Sequence, residues 1–136
     1  MKTVIIDYGS GNLHSALKSF QKVANFNNKG DVLLTSDAEI VRSADKIVLP
    51  GVGSFNDCLN GIKSNKDLFF SLSDRVLKEG VPFLGICVGL QLLADYGHEN
   101  VENTRGLGWI SGDVARIIPK DVTTVSYTHL TLPTNR

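Results

Sequence analysis

An apolar run, VPFLGI, leads straight into Cys87, and Val88-Gly89 then opens a helical apolar pattern, LQLL. A strand that turns sharply into a helix holds the residue at the turn strained and exposed, and small residues two positions to either side keep the backbones from clashing. Gly85 and Gly89 occupy those two positions. Cys87 is therefore the candidate nucleophile, with the positive end of the following helix favouring its thiolate. The competing reading is a small thiol buried at a tight turn, since free cysteine is among the most buried residue types. Cys58 lies on the same helical stripe as Phe55, Leu59 and Ile62 and reads as a core thiol.

Two glycine-containing loops follow other apolar runs. LPGVGSF at 49–55 is flexible enough to turn backbone N–H groups toward a neighbouring site, so Val52 and Gly53, with Val88 beyond the nucleophile, are candidates to stabilise an oxyanion formed at Cys87. By itself this loop reads equally well as a plain tight turn. DYGSGN at 7–12 lacks the third glycine of a dinucleotide fingerprint and the lysine of a phosphate loop, which argues against nucleotide binding. Asn12 is placed to cap the first helix. The histidines number three: His14 near the start of that helix reads as a surface residue, His98 as a loop residue after the nucleophile helix, and His129 sits in an atypical terminal stretch.

The elements that must carry these loops are short. VII at 4–6, VLL at 32–34, IVL at 47–49 and FLGI at 83–86 are runs suited to strands buried on both faces of a parallel sheet. Between them lie three helical stripes: Leu13, Ala16, Leu17, Phe20, Val23 and Ala24; Phe55, Cys58, Leu59 and Ile62; Leu68, Leu72, Val76 and Leu77. Ser36 and Ser54 read as N-caps, Gly30 and Gly80 as C-terminal caps, and 114–118 as a further strand. Alternation of this kind predicts an α/β fold with helices on both sheet faces and ligands at the carboxyl ends of the strands.

At 136 residues, 42% hydrophobic and 21% charged, with fourteen basic and fourteen acidic side chains, the chain has the balance of one globular domain without a nucleic-acid stripe. No span approaches the ~20 apolar residues of a membrane helix. The start is too short for a signal peptide, so two free thiols in the cytoplasm are expected.

DYGSGN, LPGVGSF and GICVGLQLL, in that order, resemble class I glutamine amidotransferases. DYGSGNL with PGVGSF and GLGWISGDV is most similar, within that family, to the glutaminase subunits of imidazole glycerol phosphate synthase, over about residues 1–120. The resemblance implies a flavodoxin-like, doubly wound, mostly parallel sheet, incomplete at its C-terminus, and glutamine hydrolysis through a thioester on Cys87. It implies that Gly51, Gln91 and Glu99 hold the substrate, Glu99 by its α-amino group, although Glu99 reads equally as a solvated loop carboxylate. Tyr8, Gly9 and Asn12 are expected to face a cyclase subunit of (β/α)8 barrel fold that receives the ammonia, with no cofactor or metal, no nucleic acid and no membrane involved.

Val88 and Leu90 stand where Leu and Met are usual, which leaves backbone donors untouched. The family's general-base His and its orienting Glu belong near the C-terminus, and His14, His98 and His129 do not fit that pattern. The expectation is a reading frame cut short, with a non-native or disordered tail over 121–136, vector-like from about Ser126, and little activity of its own. The alternatives are a glutaminase serving anthranilate, guanylate or pyridoxal phosphate synthesis, and a non-catalytic module that docks to a barrel.

Overall fold

A computed structural model describes residues 1–99 and 103–118. The expectations for His129 and for residues 121–136 lie outside them. Four parallel strands form the main sheet: β1 (Lys2–Ile6), β2 (Asp31–Thr35), β3 (Lys46–Gly51) and β4 (Phe83–Cys87), in the order β2-β1-β3-β4. Val4, Ile5, Ile6, Ile47 and Leu49 are fully buried, as a sheet covered on both faces requires. The chain steps from β1 outward to β2 and then crosses back to β3. The loops after β1 and β3 therefore diverge from a switch point, where the crevice of a doubly wound sheet opens.

Helices α1 (Leu13–Phe26), α2 (Ala38–Arg42), α3 (Phe55–Ser64), α4 (Lys66–Ser73) and α5 (Val88–Gln91) connect and follow the strands. On one face, Val4, Ile6, Ile47 and Leu49 pack with Val41, Phe55, Cys58, Leu59, Ile62, Leu68, Leu72 and Leu92. On the other, Ile5, Val32 and Val48 receive Leu13, Leu17, Phe20 and Ala24 of α1. The predicted stripe of α3 is buried in full, whereas α1 buries no residue completely and leaves Val23 exposed. Leu77 is also exposed, because α4 runs into a wider π turn over Asp74–Lys78 that rotates it out of the stripe of Leu68 and Leu72.

Several caps differ from expectation. Ser54 accepts the Asp57 N–H at the start of α3, as predicted, but the cap of α2 is Asp37, whose carboxylate accepts the Glu39 N–H. Ser36 is one residue too early, because Thr35 Oγ1 already accepts the Asp37 N–H and sets the turn. Asn12 occupies the N-cap position of α1 without a side-chain hydrogen bond. After α1 both Asn28 (φ 49°), directly beyond the cap Asn27, and Gly30 (φ 87°) take positive φ, and Gly30 also serves close approach: a Cβ there would lie 2.0 Å from the Met1 carbonyl oxygen. Gly80 (φ 67°) directly follows the last cap, Glu79, as expected.

A second, small sheet has the order β6-β5-β7, built from β5 (Tyr96–Gly97), β6 (Thr104–Arg105) and β7 (Asp113–Val114). The strand predicted over 114–118 is thus confined to its start. Among the described residues no ladder partner continues beyond Val114, and Ile117 and Ile118 are 84% and 83% exposed.

GLGWI bridges the two sheets. The N–H groups of Leu107, Gly108 and Trp109 reach the carbonyls of Leu92, Ala94 and Leu93 at 2.8, 3.0 and 2.8 Å. Those are the orphan acceptors beyond α5, which explains why regular helix ends so soon after Cys87. Trp109 then meets Phe83 of β4 edge to face at 5.7 Å.

Among the described residues β4 is an edge strand, with Leu84 50% and Ile86 37% exposed beside the uncovered Val23 of α1. Open apolar edges favour association. Leu84→Lys combined with Val23→Lys should lower the average mass in sedimentation at high protein concentration, with little change in thermal stability. An unchanged mass would show that this flank is not sticky.

Candidate active site

Cys87 ends β4 and caps α5 with φ 55° and ψ −119°, one of two non-glycine residues with positive φ among the described residues. Its side chain is exposed, whereas Cys58 is buried. A non-glycine residue stays in such a conformation only where its surroundings over-determine it, and here the glycines do so. A Cβ on Gly85 would lie 2.7 Å from Leu90 Cα, one on Gly89 2.0 Å from the Leu49 carbonyl oxygen, and one on Gly51 2.6 Å from Gly89 N. The start of α5 is thus pressed onto the ends of β3 and β4, and Gly51 stands beside Cys87 in the ladder. Val88 opens the helix, so its N–H is among those without an intrahelical partner. Because α5 is only four residues long, the polarising field at Cys87 comes from these few N–H groups and not from a long helix.

The loops after β1 and β3 meet through side chains that sequence reasoning missed. The Ser10 hydroxyl accepts the Val52 N–H at 3.0 Å, donates to the Val52 carbonyl at 2.7 Å and touches Cys58 Sγ at 3.1 Å. The Val52 N–H expected to face an oxyanion is therefore taken, and Ser10 must release it before it can act at Cys87. Gly53, at φ 109°, has no neighbour within 4 Å of a would-be Cβ and leaves that segment room to turn.

Tyr8 donates its hydroxyl to the Pro50 carbonyl at 2.6 Å and packs half-buried against the core. Burial first, and the Cys58 thiol second, push its phenol above the ordinary value, so it stays a donor. Its hydroxyl serves as an internal strut, whereas Gly9 and Asn12 on the same loop are exposed. The motif offered no signal for this beyond a polar loop between glycines.

Glu99 reaches the same loop from the other side, its Oε2 accepting the Phe55 N–H at 2.7 Å, where α3 begins. Gln91, half-buried one turn beyond Cys87, lines a cleft of about 420 Å³ with Glu99, His98 and Arg116. His98 faces Asp113 Oδ2 at 2.9 Å and Asn103 Oδ1 at 2.6 Å. Both ring nitrogens are thereby engaged, which ties the residue after β5 to β7. His14 is exposed on α1.

A doubly wound sheet thus carries an exposed, glycine-clamped cysteine elbow beside a second glycine loop. The chain belongs to the class-I glutamine amidotransferase family, which matches residues 4–124. It is 52% identical over 121 residues to imidazole glycerol phosphate synthase subunit HisH of Ruegeria pomeroyi, covering 89% of this chain and 57% of that protein. The subunit HisH of Brucella abortus is 50% identical over 122 residues, covering 89% and 56%, and that of Rhodopseudomonas palustris 48% identical over 120 residues, covering 88% and 55%. The chain thus spans little more than half the length of these relatives.

Hydrogen bonding to Asp113, and then to Asn103, raises the His98 pKa. A group raised on folding contributes stability that is complete below its unfolded value near 6.5 and is lost as pH rises through the folded value. The imidazole of His98, followed by NMR, should titrate above 6.5, and Asp113→Asn should bring it down. An unmoved titration in that variant would remove the β5–β7 tie.

Proposed function

We propose that this chain carries the nucleophile half of a glutaminase that supplies ammonia to a cyclase subunit, a reading supported by its membership of the class-I glutamine amidotransferases and by relatives that bear the name imidazole glycerol phosphate synthase subunit HisH. The observation that carries the reading is the exposed Cys87 at positive φ, clamped by Gly51, Gly85 and Gly89, within a chain of this family. The Cys87 sulfur attacks the carboxamide carbon of glutamine. The resulting oxyanion takes the Val88 N–H and, after Ser10 lets go, an N–H of the Val52–Gly53 segment. Collapse breaks the C–N bond and releases ammonia, leaving a γ-glutamyl thioester, and water then returns glutamate and the free thiol.

Gly51 and Gln91 border the substrate, and Glu99 offers its remaining oxygen to the α-ammonium group. Gly9 and Asn12, exposed beside Tyr8, form the face toward a barrel-shaped cyclase, in keeping with a loop at the carboxyl end of the sheet. Neither cofactor nor metal enters the reaction. Among the described residues no helix is long and apolar enough to cross a membrane, and we place the protein in the cytoplasm.

With His98 committed to Asn103 and Asp113, the general base comes from elsewhere, and the chain by itself turns over little glutamine. Loss of general acid–base help costs about 10² to 10⁴ in rate. In a full-length protein assembled with its cyclase partner, Cys87→Ala should abolish the glutamine-driven reaction and leave the reaction driven by added ammonia intact. Retention of glutamine hydrolysis by Cys87→Ala would exclude Cys87 as the nucleophile, and loss of the ammonia-driven reaction in an assembled complex would make its role structural.

A further inference from the structure

The cleft beside Gln91 contains a residue that no motif singles out. Arg116 follows β7 and lines the cleft with Gln91, His98 and Glu99. Among the described residues the ion pairs are Arg42–Glu39, Arg75–Glu79, Lys78–Asp74 and His98–Asp113, so Arg116 and Glu99 border one cleft without pairing with each other or with any other charge. Glu99 spends one oxygen on the Phe55 N–H and keeps the other. His98 is already taken up by Asn103 and Asp113. Among the described residues the cleft therefore offers the Arg116 guanidinium, a Glu99 carboxylate oxygen and the Gln91 carboxamide, a set that complements an α-amino acid zwitterion. A guanidinium presents forked N–H donors that match a carboxylate in two parallel bonds. Gln91 stands four residues beyond Cys87, about 6 Å along the helix axis, a distance comparable to the reach of a glutamine side chain.

We infer that Arg116 is a specificity-determining residue whose guanidinium holds the α-carboxylate of the substrate while Glu99 faces its α-ammonium group. This rests on the glutaminase reading and adds the contact that would separate a free amino acid from other carboxamides. A glutamine within a peptide has no free α-carboxylate and loses that contact.

Binding is measured by NMR titration of the Cys87→Ala protein, which does not consume ligand, with three probes. These are L-glutamine, 4-aminobutanamide, which lacks the carboxylate, and 4-carbamoylbutanoate, which lacks the ammonium group. Arg116→Gln should weaken L-glutamine and 4-carbamoylbutanoate by about tenfold or more, the scale of a lost charge-assisted hydrogen bond, and leave 4-aminobutanamide within about twofold. Arg116→Lys should recover part of the loss, and Glu99→Gln should weaken the two ammonium-bearing probes instead. Equal L-glutamine affinity with and without Arg116, or equal loss of all three probes, overturns the assignment while leaving the glutaminase reading in place. No binding of L-glutamine to the parent protein overturns both.

Discussion

At the carboxyl ends of β3 and β4 two stretches of backbone lie closer than any side chain tolerates, because a Cβ on Gly89 would stand 2.0 Å from the Leu49 carbonyl oxygen. Everything at the site depends on that approach. It turns the chain at Cys87, it sets Gly51 beside Cys87 in the ladder, and it starts α5 directly after the thiol. The strain of a non-glycine residue at φ 55° is of order 1–3 kcal/mol, which the buried strands around it must offset.

Two further layers hold the loops that flank this contact. Tyr8 and Ser10, from the loop after β1, grip the Pro50 carbonyl and the Val52 peptide, so the segment after β3 is fastened from the switch point of the sheet. Glu99, from the loop after β5, grips the far end of that segment where α3 begins. The GLGWI segment closes the back of the elbow by taking the carbonyls of Leu92, Leu93 and Ala94 in the turn that leaves α5. A motif that looks like a family signature thus has a plain mechanical use: Gly106 has to be glycine because a Cβ would meet the Ala94 oxygen at 2.2 Å.

The strands and the elbow were legible because their signals are local: unbroken aliphatic runs read as buried parallel strands, and glycines two residues either side of Cys87 read as a turn. The ties between loops were not. Ser10 and Val52 are 42 residues apart and meet only because β1 and β3 are neighbours, an adjacency that no period in the sequence encodes. The same blindness hid the pairing of His98 with Asp113 and the position of Arg116. The end of α5 was misread for a related reason, since LQLL continues the apolar pattern while its carbonyls are claimed by a segment fifteen residues further on. The 114–118 strand failed because β-branched residues alone do not make a strand without a ladder partner.

Backbone approach at Gly89 presents Cys87 as a reactive thiol, and that reactivity is read in the rate of thiol labelling. A glutamine-mimicking electrophile should modify Cys87 in the folded protein and spare buried Cys58, as read by peptide mapping. Gly89→Ala should slow Cys87 labelling at least about tenfold in protein that remains folded by circular dichroism, because relieving the clash shifts the elbow away from its exposed, N–H-lined position. Equal labelling of both cysteines, or an undiminished rate in folded Gly89→Ala protein, would contradict the account.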